Sequence, residues 1–145
     1  MQQVPIPIVV TDGADLPEYA TPGAAGMDLR ASASVVVSSM GRAMVPTGLR
    51  ISVPEGFEAQ VRPRSGLSIK HGLTLINPPG TIDSDFRGEI NVLVVNFGEE
   101  SYTIEIGDRI AQLVICPVAR AEWQVVGALP DSERGEGGFG STGRQ

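Results

Sequence analysis

Cysteine and histidine are almost absent from this sequence, which contains Cys116 and His71 as its single examples of each. A lone cysteine excludes a disulfide bond within the chain and agrees with a reducing compartment. A structural zinc site needs a cluster of Cys and His ligands, so the sequence excludes that class of site as well. The chemistry of this protein must therefore rest on other residue types.

Long hydrophobic runs are also missing. The longest, such as Val92 to Val95 and Leu113 to Cys116, fall far short of the roughly 20 apolar residues that span a bilayer. The first residues, Met1 to Pro5, show neither the basic patch nor the apolar stretch of a signal peptide. We therefore expect a cytoplasmic protein with no membrane partner.

Positive charge is scarce, because 11 Lys and Arg residues stand against 17 Asp and Glu residues, for a formal net charge of -6. Binding along a phosphate backbone draws on clustered Lys and Arg, so polymeric nucleic acid is not expected as a partner. A small anion held by a few arginines and backbone amides remains open.

Glycine and proline, in contrast, are abundant, with 18 and 11 residues respectively. They favour many short strands joined by tight turns, and the sequence shows no long helical period and no repeat. About nine or ten strands are predicted, and hence an all-β, jelly-roll-like (β-clip) single domain over residues 1–130 with one short helix. The clearest alternating segments are Ile6 to Val10, Met27 to Arg30, Ser34 to Val37, Leu49 to Val53, Phe57 to Arg62, Tyr102 to Ile106 and Ile110 to Val118.

Residues 63–72 interrupt the strand pattern and predict the short helix. Ser65 is suited to the N-cap and Gly72 to the C-terminal stop. The free N–H groups at the start of such a helix, beside Arg64 and the Ser65 hydroxyl, form a small anion-binding site. Two alternatives stay open. They are a well-capped connector and a serine nucleophile with His71 as its base, although the sequence lacks the Gly-x-Ser-x-Gly elbow.

The densest cluster of functional groups lies in the stretch from Pro79 to Ile90. Asp83 and Asp85 are two residues apart, so an extended chain points both carboxylates to one face and puts Ile82 and Ser84 on the other. A carboxylate at the mouth of a hydrophobic strand can act as a general base or anchor a metal ion. A solvated turn is the alternative.

Three further polar residues interrupt apolar segments. Asp28 shares a strand face with Arg30 and is either an exposed strand charge or part of a site. Asn77 opens the wide turn of a predicted hairpin between residues 73–76 and the Asp83 segment, and either caps that turn or offers its amide to a base edge. Gln112 interrupts a buried strand, where its amide needs partners in the scaffold or in a ligand.

The composition changes at Asp131. Residues 133–145 are rich in glycine and too poor in apolar surface to fold alone, which predicts a flexible C-terminal arm over residues 131–145. That arm is either a disordered tail or a lid that orders on a ligand. Its glycine amides and Arg134 suit phosphate oxygens, and Phe139 offers a stacking face.

Five separate segments together resemble the homotrimeric dUTPases, enzymes that cleave dUTP to dUMP and pyrophosphate. They cover nearly the whole chain in order, at spacings like those of that family. The segments are Ala25 to Leu29, Pro63 to Leu67, Asn77 to Gly88, Gly107 to Gln112 and Arg134 to Gly143. The resemblance implies a homotrimer with active sites shared between subunits, the arm coming from a third chain, and dUTP as the substrate.

The resemblance also implies roles for individual residues. Asp83 matches the general base that activates the water attacking the α-phosphorus. Asp28 matches the residue that holds waters of a Mg²⁺ ion bound to the triphosphate, and Phe86 the ring beneath the deoxyribose. The phosphate contacts correspond to Arg64, Ser65, Gly66 and Gln112, the uracil site to Asn77 with the backbone of Thr81 and Ile82, and the closing arm to Arg134, Phe139, Gly140, Ser141 and Thr142.

Two positions depart from the family pattern. The family usually has Tyr where this chain has Phe86, so the ring that excludes a 2′-hydroxyl is kept while any hydrogen bond from the Tyr hydroxyl is lost. Pro78 follows Asn77 directly and has no N–H, so it cannot donate a backbone hydrogen bond to the base.

The role implied by this family is to limit uracil incorporation into DNA and to supply dUMP for thymidylate synthesis. Two other functions compete with it. One is a dCTP deaminase, which is similar to dUTPases in fold and phosphate handling. The other is a non-catalytic jelly-roll module that senses a ligand or supports assembly, which would have no need of both Asp83 and an ordered arm.

Overall fold

The computed structural model describes residues 3–138, and its regular structure is almost entirely β-strand. Twelve short strands and one seven-residue helix occur in this range, so the predicted all-β fold with one short helix is confirmed. The strands are β1 Ile8–Val10, β2 Glu18–Tyr19, β3 Met27–Arg30, β4 Val35–Val37, β5 Arg42–Pro46, β6 Leu49–Ile51, β7 Phe57–Arg62, β8 Leu73–Leu75, β9 Gly80–Ile82, β10 Asn91–Asn96, β11 Tyr102–Ile104 and β12 Arg109–Pro117; the helix α1 is Ser65–His71.

The strands form a five-stranded sheet in the order β2-β3-β12-β7-β9 and a three-stranded sheet in the order β5-β10-β8. Two further pairs, β1 with β6 and β4 with β11, complete the described part of the domain, and each of these pairings is antiparallel. Buried side chains from both sheets and both pairs, such as Leu29, Val61, Val92, Ile51 and Ile104, belong to one hydrophobic cluster. One shared core of this kind is what the predicted jelly-roll-like domain requires.

Alternation along β7 separates the core from an outer polar face. Ala59 and Val61 are buried, as predicted, because every second side chain of a strand points to the same side. Glu58, Gln60 and Arg62 point the other way and are linked by hydrogen bonds, from Gln60 Nε2 to Glu58 Oε1 at 2.6 Å and from Arg62 Nη2 to Gln60 Oε1 at 2.7 Å. The outer face of the five-stranded sheet is therefore polar along β7.

The helix α1 begins and ends close to the predicted residues, but its N-cap is Arg64 rather than Ser65. Arg64 has an extended backbone, and helical geometry starts at Ser65, so the Ser65 hydroxyl is one position too late to cap the helix. The prediction for the other end is confirmed. Gly72 adopts a left-handed conformation with φ of 69° and donates its N–H to the carbonyls of Leu67 and Ser68.

The predicted hairpin before Asp83 is wrong. β8 pairs with β10 in the three-stranded sheet, whereas β9 pairs with β7 in the five-stranded sheet, so residues 76–79 carry the chain from one sheet to the other. Pro78 and Pro79 have no N–H to donate to a strand ladder, which favours such a crossing over a paired hairpin. The strand β5 was also not predicted, because Gly41 and Pro46 at its two ends indicate turns.

The Asp83 segment is likewise not extended beyond Ile82. The chain turns at Ser84 and Asp85, and the N–H of Phe86 donates to the carbonyl of Asp83 at 3.2 Å. The alternation predicted for Asp83 and Asp85 therefore does not apply, although both residues are exposed and Ile82 is buried. A turn forms here because short polar side chains such as Ser and Asp favour turns over strands.

Beyond β12 the chain continues from residue 118 to residue 130 without a helix or strand, and every residue of this segment is exposed. Trp123 is 87% exposed and Val125 99% exposed, so large apolar side chains lie in solvent around a single chain. The division into a domain of residues 1–130 and a flexible arm stays a prediction. Among residues 3–138, no helix has the length and apolar character needed to cross a membrane.

Candidate active site

Asp28 is the centre of a cluster of charges at one end of the five-stranded sheet. Its Oδ1 lies 3.1 Å from Arg64 Nε, and its Oδ2 lies 3.2 Å from Arg109 Nη1. Arg64 Nη1 also donates to the backbone carbonyl of Arg109 at 3.1 Å. Three segments that are distant in sequence thus meet at one carboxylate, and the two guanidinium groups make the surroundings suitable for an anion.

Gln112 lies next to this cluster. It is opposite Asp28 on β3 and opposite Arg62 on β7, so the antiparallel register puts its side chain on the same face as Asp28. Gly26 makes room for it, because a Cβ on Gly26 would be 2.8 Å from Gln112 Oε1. Asp28 and Gln112 therefore lie on one face of the sheet, and their predicted roles in a site stay predictions.

Ser65 and Gly66 follow Arg64 directly at the start of α1, and both are exposed. Arg64 and Gln112, two of the residues predicted to bind phosphate, thus lie at or beside Asp28, and Ser65 and Gly66 are the next two residues of the chain after Arg64. A pocket of about 200 Å³ opens beside this cluster and is lined by Arg64, by Asp108 of the turn before β12 and by Arg109, the first residue of β12.

A second pocket, of about 240 Å³, contains the predicted uracil and sugar residues. Asn77, Thr81, Ile82 and Phe86 all line it. The amide of Asn77 lies against Gly80, where an added Cβ would be 3.3 Å from Nδ2. Because β9 is the last strand of its sheet, the backbone groups on its free edge are available to a planar partner.

Asp83 follows Ile82 and is exposed beside this second pocket. The turn that carries it is closed by Arg87, whose Nη1 donates to the carbonyls of Ser84 and Phe86, both at 2.7 Å. Among residues 3–138, no basic side chain forms an ion pair with the Asp83 carboxylate. Such a carboxylate is available to accept a proton.

The two pockets share no lining residue, and of the residues predicted to bind phosphate it is Arg64 that lines one of them. Arg134 lies in a turn of the C-terminal segment, and its Nε donates to the carbonyl of Gly137 at 2.7 Å rather than to either pocket. Phe139, Gly140, Ser141 and Thr142 lie outside the described residues. Their predicted contacts stay predictions.

The sequence interpretation missed Arg109, Glu89 and Asn91. Arg109 holds the second oxygen of Asp28, and Glu89 and Asn91 line the larger pocket with Asn77. A signal for Arg109 was present, since it directly follows a Gly-Asp turn at the start of a buried strand, where a charge at the rim is common. The alternation of β10 gives no such signal for Asn91, because strand ends often carry polar residues.

Within residues 3–138 there is no group of three or more His, Cys, Asp or Glu side chains that could hold a metal ion by itself. Asp28 supplies a single carboxylate, and both of its oxygens already face arginines. This donor set does not fit a metal bound by protein ligands alone. It does fit an ion that is held by another anion and contacts Asp28 only through water.

The fold and the two pockets define a class, namely small antiparallel β proteins with a site for a compact anionic ligand. Comparison with known sequences gives the particular member of that class. The dUTPase family matches residues 12–143. This chain belongs to the dUTPase family.

Individual relatives agree with this assignment. A deoxyuridine 5′-triphosphate nucleotidohydrolase of Fusobacterium nucleatum subsp. nucleatum is 51% identical over 146 residues, covering 99% of this chain and all of the relative. One from Anaeromyxobacter sp. (strain Fw109-5) is 58% identical over 130 residues, covering 90% of this chain and 88% of the relative. Among solved structures, the Staphylococcus bacteriophage 80alpha dUTPase with dUPNHPP has a TM-score of 0.91 and 30% identity, covering 98% of this chain and 100% of that one. These likenesses favour the dUTPase interpretation over the dCTP deaminase and the non-catalytic module.

Proposed function

We propose that this protein hydrolyses dUTP to dUMP and pyrophosphate. The observation that carries the proposal is the pocket lined by Asn77, Thr81, Ile82 and Phe86, because the exposed Asp83 directly follows Ile82 in the chain. The membership of the dUTPase family and the names of the relatives support the same activity. A nucleoside in this pocket would have its phosphates directed past Asp83.

The base is recognised at the edge of β9. Backbone groups of Thr81 and Ile82 on the free edge of that strand offer donors and acceptors in a fixed line, as a pairing partner does. The Asn77 amide both donates and accepts, which suits the edge of uracil.

Asp83 acts as the general base. It accepts a proton from a water molecule as that water attacks the α-phosphorus in line with the departing pyrophosphate. The new bond joins the water oxygen to the α-phosphorus, and the bond from that phosphorus to the bridging oxygen breaks. The electron pair leaves with pyrophosphate, and the proton remains on Asp83 until it passes to solvent.

The charge that develops on the phosphates is balanced by the cluster around Asp28. Arg64, the Ser65 hydroxyl, the Gly66 N–H and the Gln112 amide would contact phosphate oxygens. Arg64 is held by Asp28 before the substrate arrives, so its position costs little rearrangement on binding. Mg²⁺ bound to the triphosphate would neutralise further charge, with Asp28 accepting hydrogen bonds from its waters.

The complete site forms between chains. We infer a homotrimer because the two pockets do not meet in one chain and because residues 118–130 leave large apolar side chains in solvent. The arm of a further subunit then closes over the nucleotide, with Arg134, Ser141 and Thr142 on the γ-phosphate and Phe139 and Gly140 against the uracil. Ordering such an arm excludes water that does not take part in the reaction.

The physiological role follows from the reaction. In the cytoplasm, removal of dUTP limits uracil incorporation into DNA, and the dUMP formed supplies thymidylate synthesis.

Incubation of the purified protein with dUTP and Mg²⁺ in ¹⁸O-enriched water tests the activity and the position of attack together. We expect dUMP and pyrophosphate, with the heavy oxygen in dUMP. Label in pyrophosphate contradicts attack at the α-phosphorus. Release of ammonia from dCTP, without cleavage of dUTP, instead identifies the deaminase.

A further inference from the structure

The ring of Phe86 lies directly against the backbone of Gly88. A Cβ atom built on Gly88 would be 2.6 Å from Phe86 Cζ and 2.9 Å from Cε2. Protein interiors do not tolerate contacts this short, so only glycine leaves the space that the ring occupies. The φ angle of Gly88 is not positive, so glycine suits this position because it lacks a Cβ atom and not because of its backbone conformation.

The backbone after Gly88 is fixed. The N–H of Ile90 donates to the Leu49 carbonyl at 2.8 Å, and the Ile90 carbonyl accepts from the buried Thr47 hydroxyl at 2.6 Å. The Glu89 carboxylate accepts a hydrogen bond at 2.9 Å from the backbone N–H of Gly48. These bonds attach the segment to the connection between β5 and β6.

The backbone before Gly88 is fixed as well. Arg87 Nη1 bridges the carbonyls of Ser84 and Phe86, and the N–H of Phe86 is bonded to the carbonyl of Asp83. The chain is thus held on both sides of Gly88. An added methyl group at Gly88 must therefore displace the Phe86 ring rather than the backbone.

We propose that Gly88 is a specificity-determining position of the sugar site and acts through the ring of Phe86. The inference rests on the proposed function and on the resemblance to dUTPases, which implies that this ring packs beneath the deoxyribose. Phe86 lines the same pocket as Asn77 and Thr81 and is 43% exposed, so packing around the ring does not hold it on every side. Because Phe has no hydroxyl to fix it by a hydrogen bond, the contact with Gly88 sets how much space remains for a 2′-hydroxyl.

The test compares Gly88→Ala with Gly23→Ala, whose added Cβ would meet nothing within 4 Å. The readout is the ratio of kcat/KM for dUTP to kcat/KM for UTP, measured as pyrophosphate release with Mg²⁺. We expect Gly88→Ala to lower this ratio by about tenfold or more, as a displaced wall of a steric filter does. Gly23→Ala keeps the wild-type ratio. A wild-type ratio in correctly folded Gly88→Ala overturns the proposal.

Phe86→Ala, alone and combined with Gly88→Ala, tests whether the ring transmits the effect. Without the ring, the added methyl group should change neither the dUTP preference nor the Tm, because the atoms that it displaces are gone. This comparison holds even where Gly88→Ala alone is too unstable to assay. An equal effect of Gly88→Ala with and without the ring overturns the proposal.

The same measurements separate this inference from the proposed function. A wild-type protein that releases no pyrophosphate from dUTP contradicts the proposed function, and the inference falls with it. If the wild type hydrolyses dUTP but the effects of Phe86→Ala and Gly88→Ala are additive, the proposed function stands and the role proposed for Gly88 is contradicted.

Discussion

Asp28 of β3 and Arg64 at the start of α1 form an ion pair, with Oδ1 of the carboxylate 3.1 Å from Nε of the guanidinium. Their side chains are 17% and 25% exposed, whereas Arg109, on the other oxygen of Asp28, is 47% exposed. Asp28 therefore orients the less exposed arginine, and Arg109 adds a charge at the rim. The two arginines should contribute differently to substrate binding.

Arg64→Ala should raise KM for dUTP by about tenfold or more, because a charge-assisted hydrogen bond to phosphate is lost. Arg109→Ala is the matched control, since it removes the other ion pair of Asp28 and leaves Arg64 in place. Its KM should rise by no more than about threefold, as is usual for a pair at the surface. Steady-state kinetics of pyrophosphate release measures both, and equal effects would show that Asp28 does not distinguish the two arginines.

Asp83→Asn should lower kcat by roughly 10²- to 10⁴-fold while the Kd for a non-hydrolysable dUTP analogue stays within about threefold of wild type. The amide keeps the shape of the side chain but cannot accept the proton from water. Asp85→Asn, two residues away and also exposed, removes the same charge from the same turn and should retain turnover. Parallel loss of binding and turnover in Asp83→Asn would assign Asp83 to structure.

Gly26→Ala should raise KM for dUTP by about fivefold or more, because its Cβ would lie 2.8 Å from Gln112 Oε1 and displace an amide that we propose to contact phosphate. Gly23→Ala provides the control on the same segment, with open space around the added atom. Calorimetric Tm values establish that both variants fold. A normal KM for Gly26→Ala would show that the displaced Gln112 side chain is not needed for the phosphates.

Removal of residues 131–145 should keep the fold and the oligomer but remove most of the activity, since the arm would no longer order over the nucleotide. Circular dichroism, sedimentation velocity and pyrophosphate release check the three expectations. Normal turnover by the shortened protein would contradict the lid assignment.

Paired substitutions at Trp123 and Val125, both to Asp, should dissociate the proposed trimer, because two charges would replace the most exposed apolar side chains of the segment after β12. Gln124→Asp introduces charge between them without removing apolar surface, and should remain trimeric. Sedimentation velocity distinguishes three chains from one. Activity should fall with dissociation, because in the proposed function each site needs more than one chain.

The local pattern of the sequence predicted most of the β fold correctly. β7 is found at the predicted residues, and α1 ends at Gly72 as its left-handed C-cap requires. These features depend on neighbours within a few residues, through side-chain alternation and glycine conformation. The resemblance to dUTPases was confirmed for the same reason, since its motifs are short and local.

Pairing between distant segments was decided only by the tertiary structure. Pro78 and Pro79 disfavour a paired hairpin, but no local signal gives the partners of β8 and β9, and the expected hairpin between them was wrong. Nor does a local signal predict that Arg109 would meet Asp28 or that the Phe86 ring would lie on Gly88. The sequence by itself determined where strands such as β7 form, and its short motifs marked Asp28, Arg64 and Asp83 as candidate site residues. The distances between those residues were set by the packing of sheets around one core, because burial of apolar surface fixes strand partners that sequence separation cannot reveal.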